Sequence, residues 1–155
     1  MTITANHTLV ADGIFRLDDD GRPVLLGSRC TNCDNHMFPR QSGCPRCMFD
    51  TQEDIELAQT GTLWTWTVQA FPPKAPPYLG PVGTDFEPYG VGYVELSDQV
   101  RVEARLTIGD PDRLEIGMAM EIVAHVLTTD DDGNDVITYA FAPASDEATQ
   151  NGDAS

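Results

Sequence analysis

Residues 30–47 read Cys-Thr-Asn-Cys-Asp-Asn-His-Met-Phe-Pro-Arg-Gln-Ser-Gly-Cys-Pro-Arg-Cys, and this stretch decides the fold. It holds every cysteine of the chain, as two C-x2-C pairs separated by ten residues: Cys30, Cys33, Cys44 and Cys47. Each pair can direct two thiolates toward one point, so together they complete a tetrahedral S4 shell, for which zinc is the usual metal. Closed shells of this kind are normally structural. We therefore predict one structural zinc ion per chain, held in a small β-ribbon.

Three other uses of the cysteines are alternatives to zinc. A rubredoxin-like iron site uses the same four ligands, and the spacing alone leaves it open. Two disulfides are disfavoured because residues 1–8 lack the charged start and apolar centre of a secretory signal. A thiol redox pair is disfavoured because two matched pairs occur at ribbon spacing. His36 lies between the pairs, but four thiolates already fill the shell.

The charge of the chain limits its partners. The 155 residues carry a formal net charge of −16. Residues 1–50 contain five arginines against six acids, whereas residues 51–155 contain four basic residues against nineteen acids. Binding to phosphate backbones needs a basic surface, so we predict no nucleic-acid partner. No apolar run approaches the ~20 residues of a membrane span, which predicts a soluble chain without membrane contact. Reduced thiols place it in the cytoplasm.

The second half of the chain shows the pattern of five β-strands. Trp64, Trp66 and Val68 alternate with polar residues, which is a period of two. The predicted strands are 61–69, 90–96, 100–106, 121–128 and 136–141, with a hairpin turn at 130–133. Five strands without a long amphipathic helix predict a closed five-stranded OB-fold barrel. On the third strand, Glu103 and Arg105 share one face, and we expect them to form an ion pair.

These observations predict a mainly β chain with an N-terminal zinc ribbon followed by an OB-fold. The acidic, polar residues 50–60 are interpreted as a connection between the two units. The predicted divisions are a lead-in at 1–20, the ribbon at 21–52, the barrel at 53–143 and a disordered tail at 144–155.

Residues 71–88 hold six of the eleven prolines of the chain. Loops longer than about 12–15 residues are uncommon unless they are functional or disordered. Prolines reduce the entropy lost on docking, so the segment is either an ordinary hairpin loop or a partner-binding arm. The candidate partner-binding residues are Phe71, Pro72, Pro73, Pro76, Pro77 and Tyr78.

Catalytic chemistry is not evident in the sequence. The three histidines, His7, His36 and His125, lie far apart along the chain. The sequence contains no G-x-S-x-G, P-loop or G-x-G-x-x-G motif. We therefore predict that the chain carries no catalytic residue.

Arg29, Arg40 and Arg46 form a local basic patch around the cysteine pairs. Arginine forks suit phosphate and carboxylate groups, so this patch could hold a small phosphorylated ligand. The alternative, which we favour, is that the arginines pair with acids such as Asp34 and Asp50. The candidate ligand-binding residues are Phe38, Arg40 and Arg46.

The ordered motifs of residues 20–143 resemble the DUF35 family. The matching motifs are Cys30-x2-Cys33, Phe38-Pro39-Arg40, Cys44-Pro45-x-Cys47, Gly61-x2-Trp64-x-Trp66-Thr67, Pro88-Tyr89, Val94-Glu95-Leu96, Ile116-Gly117-Met118 and Phe141-Ala142-Pro143. One departure is Asp34, where a glycine commonly follows the first cysteine pair. The change affects a turn and leaves the four predicted metal ligands in place.

The resemblance implies a rubredoxin-like zinc ribbon joined to an OB-fold, and an accessory role. Members of the family associate with thiolase-fold enzymes that act on acyl-CoA. Such partners are archaeal acetoacetyl-CoA thiolase, lipid-transfer-protein-like aldolases of steroid side-chain degradation and the benzoylsuccinyl-CoA thiolase of anaerobic toluene degradation. The chain would then be a non-catalytic subunit of a hetero-oligomer, which supports the thiolase-like enzyme or helps to hold the CoA ester.

Two alternatives belong to other functional classes. An OB-fold binder of single-stranded nucleic acid would stack bases on Trp64 and Trp66. A stand-alone acyl-CoA-binding protein or enzyme would act without a partner.

Overall fold

The computed structural model describes residues 6–97 and 100–144, which form two β-sheets. The strands in these ranges are β1 (His7–Leu9), β2 (Phe15–Leu17), β3 (Pro23–Cys30), β4 (His36–Met37), β5 (Gln52–Glu56), β6 (Thr60–Gln69), β7 (Tyr89–Leu96), β8 (Val100–Leu106), β9 (Ala119–Thr129) and β10 (Asp135–Pro143). Most of the tail that was predicted to be disordered, residues 145–155, lies outside the described residues. No helix in the described ranges is long and apolar enough to cross a bilayer.

Strand β3 is the centre of the ribbon sheet. It pairs antiparallel with β2, β4 and β5, and it delivers Cys30 to the metal-binding end of the sheet. The segment 50–60 was expected to be a connection, and that interpretation is wrong for β5. Gln52–Glu56 pairs in register with β3 from Cys30 to Leu26. Its sequence lacks apolar alternation, so tertiary pairing rather than local propensity makes it a strand.

The remaining strands close a five-stranded barrel in the order β6–β7–β8–β10–β9, with β9 returning to β6. The contacts around the barrel are antiparallel except for the parallel pair of β8 and β10. The predicted OB-fold is therefore confirmed. Between β8 and β9 the chain makes one short 3₁₀ turn, Pro111–Arg113.

Both sheets contribute to one apolar core. Phe15 and Leu25 from the ribbon sheet are 2% and 1% exposed, and they belong to the same buried cluster as Leu106 and Phe141 of the barrel. Small ribbons bury too little surface to fold on apolar contacts alone. Packing against the barrel supplies part of the missing contact area.

Two details of the barrel were not predicted. β1 extends the sheet by parallel pairing with β10. A β-bulge between Leu63 and Thr65 interrupts the alternation of β6. As a result Leu63 is buried and Trp64 is 46% exposed, while Trp66 packs against the core. Bulges redirect side chains in this way because two residues of one strand oppose a single residue of its partner.

The turn at residues 18–22 connects the ribbon side of the molecule to the barrel. Gln59, just before β6, donates from Nε2 to Asp18 Oδ2 at 2.9 Å and to the carbonyl oxygen of Pro23 at 3.2 Å. Arg22 forms an ion pair with Glu121 of β9 at 3.2 Å. These contacts hold the two sheets in one arrangement.

Replacing Gln59 with alanine should raise the pKa of Asp18. The amide of Gln59, followed by the backbone N–H of Arg22, lowers this pKa below its ordinary value. A carboxyl with a lowered folded-state pKa stabilises the fold above its unfolded pKa, and that contribution is lost as the pH falls through the folded value. Carboxyl-carbon NMR titration of both proteins measures the effect. An unchanged Asp18 pKa in Gln59→Ala would contradict the assigned hydrogen bond.

Candidate metal centre and the surrounding surface

The four cysteine thiols converge on one point. Their Sγ atoms all lie within 4.8 Å of one another, and the Cys30–Cys47 and Cys33–Cys44 pairs are each 3.6 Å apart. Zinc–thiolate bonds of about 2.3 Å in a tetrahedron require sulfur atoms roughly 3.8 Å apart. The spacing therefore fits a tetrahedral metal, and the thiols are free rather than joined in disulfides.

The two cysteine turns share one backbone design. In each, the residue after the second cysteine has a positive φ, 65° at Asp34 and 66° at Met48. The N–H of that residue donates to the carbonyl oxygen of the first cysteine, at 3.0 Å in one turn and 2.9 Å in the other. The left-handed conformation explains why a glycine would be favoured at Asp34. Asp34 adopts it while its carboxylate binds Arg29.

The thiols influence one another's pKa values. The amide of Asn32, followed by the N–H of Phe49, lowers the pKa of Cys47 to about 6. The N–H of Asn35 lowers that of Cys33, but desolvation and the three neighbouring thiols outweigh it and raise the pKa of Cys33 to about 12. Four thiols this close cannot all ionise unless a positive ion offsets their charge, and a divalent metal supplies that charge.

The basic patch around the thiols is largely paired. Arg29 bonds to Asp34 and to Glu53, the latter at 2.6 Å. Arg40 bonds to Asp54 at 3.0 Å and to the carbonyl oxygen of Gly13 at 3.3 Å. Pairing with nearby acids, the favoured expectation, thus holds for these two arginines, although Asp50 takes part in neither pair. Arg46 is exposed and makes no ion pair with the described residues.

Phe38 is half-buried. Its ring meets that of Tyr139 in β10 edge-to-face, with the centroids 6.1 Å apart, and Phe15 meets the same tyrosine at 5.8 Å. Phe38 also packs against the main core. Phe38 therefore connects the ribbon to the barrel through its contact with Tyr139.

The proline-rich arm (residues 71–88) connects β6 to β7 and projects apolar side chains. Phe71 is 77% exposed, Leu79 53% and Val82 49%. Tyr78 differs, because it is half-buried and borders a groove on the barrel. The candidate prolines Pro72, Pro76 and Pro77 are exposed, and Pro73 is half-buried.

The expected ion pair between Glu103 and Arg105 is wrong. Glu103 instead accepts a hydrogen bond from the hydroxyl of Tyr93 at 3.4 Å. The guanidinium of Arg105 lies 4.0 Å above the ring of Tyr89 on the neighbouring strand β7. Sequence reasoning missed this stacking, although the Pro88-Tyr89 motif marked the position.

Two family models match consecutive parts of the chain. The family model of the ChsH2 rubredoxin-like zinc ribbon domain matches residues 19–53, and that of the ChsH2 C-terminal OB-fold domain matches residues 54–125. A "DUF35 domain-containing scaffold protein" of Methanocaldococcus jannaschii is 34% identical over 77% of this chain and 80% of its own length. The benzoylsuccinyl-CoA thiolase subunit BbsA of Thauera aromatica is 30% identical over 79% of this chain and 78% of its own length.

A solved structure, the Ltp2–ChsH2(DUF35) aldolase, superposes with a TM-score of 0.58 at 28% identity. The match covers 79% of this chain and 86% of that one. Fold and site together define a zinc-ribbon/OB-fold protein with one structural zinc ion per chain. The chain belongs to the DUF35 family, with both ChsH2-type domains in the same order.

Proposed function

We propose that this chain is a non-catalytic subunit that binds and supports a thiolase-like enzyme acting on acyl-CoA. The observation that carries the proposal is the similarity to BbsA, a thiolase subunit, which extends over 79% of this chain and 78% of that protein's length. The likeness to the Ltp2–ChsH2 aldolase supports the same assignment. The partner supplies the reacting groups for thiolytic or retro-aldol C–C cleavage. The complex works in the cytoplasm, where thiols stay reduced.

Within this subunit the zinc has a structural task. The proposed ligands are Cys30, Cys33, Cys44 and Cys47, and all four coordinate the metal. No cysteine is left for acyl transfer. The ion stabilises the proposed ribbon domain, which presents its cysteine turns beside the OB-fold domain.

The arm is the proposed contact with the thiolase-like partner. Its exposed apolar side chains, Phe71, Leu79 and Val82, stand on a chain that is otherwise strongly acidic. Large apolar side chains at interfaces contribute most of the binding energy when a partner covers them. Two aromatic candidates therefore differ in role: Phe71 faces the partner, whereas Tyr78 remains against the barrel.

Contacts to the CoA ester are assigned to the ribbon surface. Arg46 is exposed and lacks an ion pair with any described residue, so its guanidinium is available to phosphate. Arg40 takes part only if Asp54 releases it. Phe38 acts through the packing of the ribbon on Tyr139.

The nucleic-acid alternative receives no support from the exposed tryptophan. The guanidinium of Arg101 lies 4.0 Å above the ring of Trp64 and covers the face on which a base would stack. Arg101 itself is paired with Glu95 at 2.8 Å. A net charge of −16 further repels a polyanion.

Arm variants test the proposal during co-expression with the thiolase-like protein encoded beside this chain, with only this chain tagged. We expect Phe71→Ala with Leu79→Ala to reduce the co-purified partner at least about tenfold, because interface anchors contribute about 2 kcal/mol or more each. Ile116→Ala, also an exposed apolar residue but outside the arm, should retain the partner. Equal partner recovery with the double variant would remove the arm from the interface.

A further inference from the structure

A groove of about 660 Å³ runs along the outer face of the barrel beside the arm. Its walls include Tyr78 of the arm, Tyr89 and Val91 of β7, Arg105 of β8, and Thr138 and Tyr139 of β10. Small-molecule sites have volumes of about 300–1,000 Å³ and combine apolar walls with a few polar groups. The groove has this size and composition.

Its position corresponds to the face that OB-folds use for ligands. In OB-folds generally, the second and third strands and the loop between strands one and two form the binding surface. Here β7 and β8 are the second and third barrel strands, and the arm is the loop that precedes β7. Tyr78 brings the arm to the edge of the groove.

Arg105 is the distinctive group of the groove. Its side chain is half-buried and stacks on Tyr89. It forms no hydrogen bond or ion pair with a residue in the described ranges. Arg46 also lacks an ion pair with the described residues, but it is exposed, whereas Arg105 is half-buried in the groove. The positive charge of Arg105 also acts on His125. Burial, followed by the charge of Arg105, lowers the pKa of that histidine. A stacked guanidinium whose N–H donors have no described protein partner can donate two hydrogen bonds to a planar anion such as a carboxylate.

The surroundings favour a single negative charge on the ligand. Glu103 lines the same groove, and the whole chain is strongly acidic. A polyanion would meet repulsion there, whereas one carboxylate matches the bidentate fork of one arginine. Because Arg105 already covers a face of Tyr89, the surface for an apolar body beside that carboxylate is offered by Tyr78 and Val91.

We propose that this groove binds an organic monocarboxylate with a planar or aromatic body, its carboxylate on Arg105 and its body against Tyr78 and Val91. This site is separate from the thiols and from the exposed side chains of the arm, and it does not depend on the proposed function.

The test is titration calorimetry of the full-length, zinc-loaded chain with 2-naphthoate, and with 2-naphthamide as the uncharged probe of the same shape. We expect naphthoate to bind, naphthamide to bind at least about tenfold more weakly, and Arg105→Gln to weaken naphthoate binding by a similar factor. Arg105→Lys keeps the charge without the planar fork and should fall between the two. Arg113→Gln, an exposed arginine outside the groove, is the matched control and should bind as the unmodified chain does.

Zinc content and tryptophan fluorescence of each variant verify the fold before titration. The proposal is overturned by any of three results: no binding of naphthoate at millimolar concentration, equal binding of naphthoate and naphthamide, or unchanged binding by a folded Arg105→Gln variant. Because the titration needs no partner, its failure leaves the proposed subunit role to be judged by co-purification alone.

Discussion

Replacing Cys44 with serine is expected to abolish stoichiometric zinc binding and to unfold the ribbon. Cys44 is 2% exposed, and its Sγ lies 3.6 Å from that of Cys33. Its backbone N–H also closes the second cysteine turn onto the carbonyl oxygen of Phe49 at 2.9 Å. Structural zinc supplies about 10–16 kcal/mol in zinc-finger peptides, far more than a ribbon of this size gains from apolar burial. Losing one thiolate should therefore cost the ribbon its folded state.

Zinc content by elemental analysis and amide NMR spectra of the ribbon residues measure this effect. Ser42→Ala is the control, because Ser42 is exposed in the same loop and is outside the predicted shell. We expect one zinc per chain in the control and the unmodified protein, and less than about one tenth of that in Cys44→Ser. Chelation of the unmodified protein should reproduce the spectrum of the variant. A Cys44→Ser protein that keeps full zinc and a folded ribbon would contradict the four-thiol site.

The second large effect is expected from Gly90→Ala in the barrel. A Cβ at Gly90 would lie 2.2 Å from the carbonyl oxygen of Ile108 and 3.0 Å from the Cβ of Leu106. A side-chain rotation cannot relieve the contact with a backbone oxygen, so β7 must move away from its neighbours. Overpacking of this kind costs about 1–3 kcal/mol and sometimes more. We expect a loss of about 3 kcal/mol in the free energy of unfolding.

Urea denaturation followed by tryptophan fluorescence reports on the barrel, because Trp66 packs against its core. Gly43→Ala is the matched control: a Cβ there meets no atom within 4 Å. Alanine at such a position should leave stability unchanged or raise it slightly, since it restricts the unfolded chain. Equal unfolding midpoints for Gly90→Ala and the unmodified chain would show that the strands tolerate a wider spacing than the structure has.

The strongly patterned parts of the fold were predictable from the sequence. The cysteine spacing predicted a cluster of four thiols, whose Sγ atoms lie within 4.8 Å of one another. The alternation of Val102, Ala104 and Leu106 with charged residues predicted the buried and exposed faces of β8. The turn before Asp135 followed from its Asp-Asp-Asp-Gly sequence, whose first carboxylate accepts the N–H of Asn134 at 2.8 Å. In these places one local signal agreed with the tertiary structure.

The features that escaped prediction depend on neighbours that are distant in sequence. β5 has a single apolar residue, Ile55, among four polar ones, and it becomes a strand through its pairing with β3. The bulge at Leu63–Thr65 exposes Trp64 by changing the register with β7. Arg105 was assigned to Glu103 on its own strand, but its stacking partner Tyr89 lies across the sheet. Period-two patterns describe one strand and carry no information about which strand lies beside it.

The central claim is that this chain functions as a zinc-containing subunit of a thiolase-like acyl-CoA enzyme. Native mass spectrometry of the tagged chain, co-expressed with the thiolase-like protein encoded beside it, tests that claim most directly. The account predicts a stoichiometric complex whose mass includes one zinc for each copy of this chain. A zinc-loaded chain that is recovered alone, with the thiolase-like protein expressed but unbound, would contradict it.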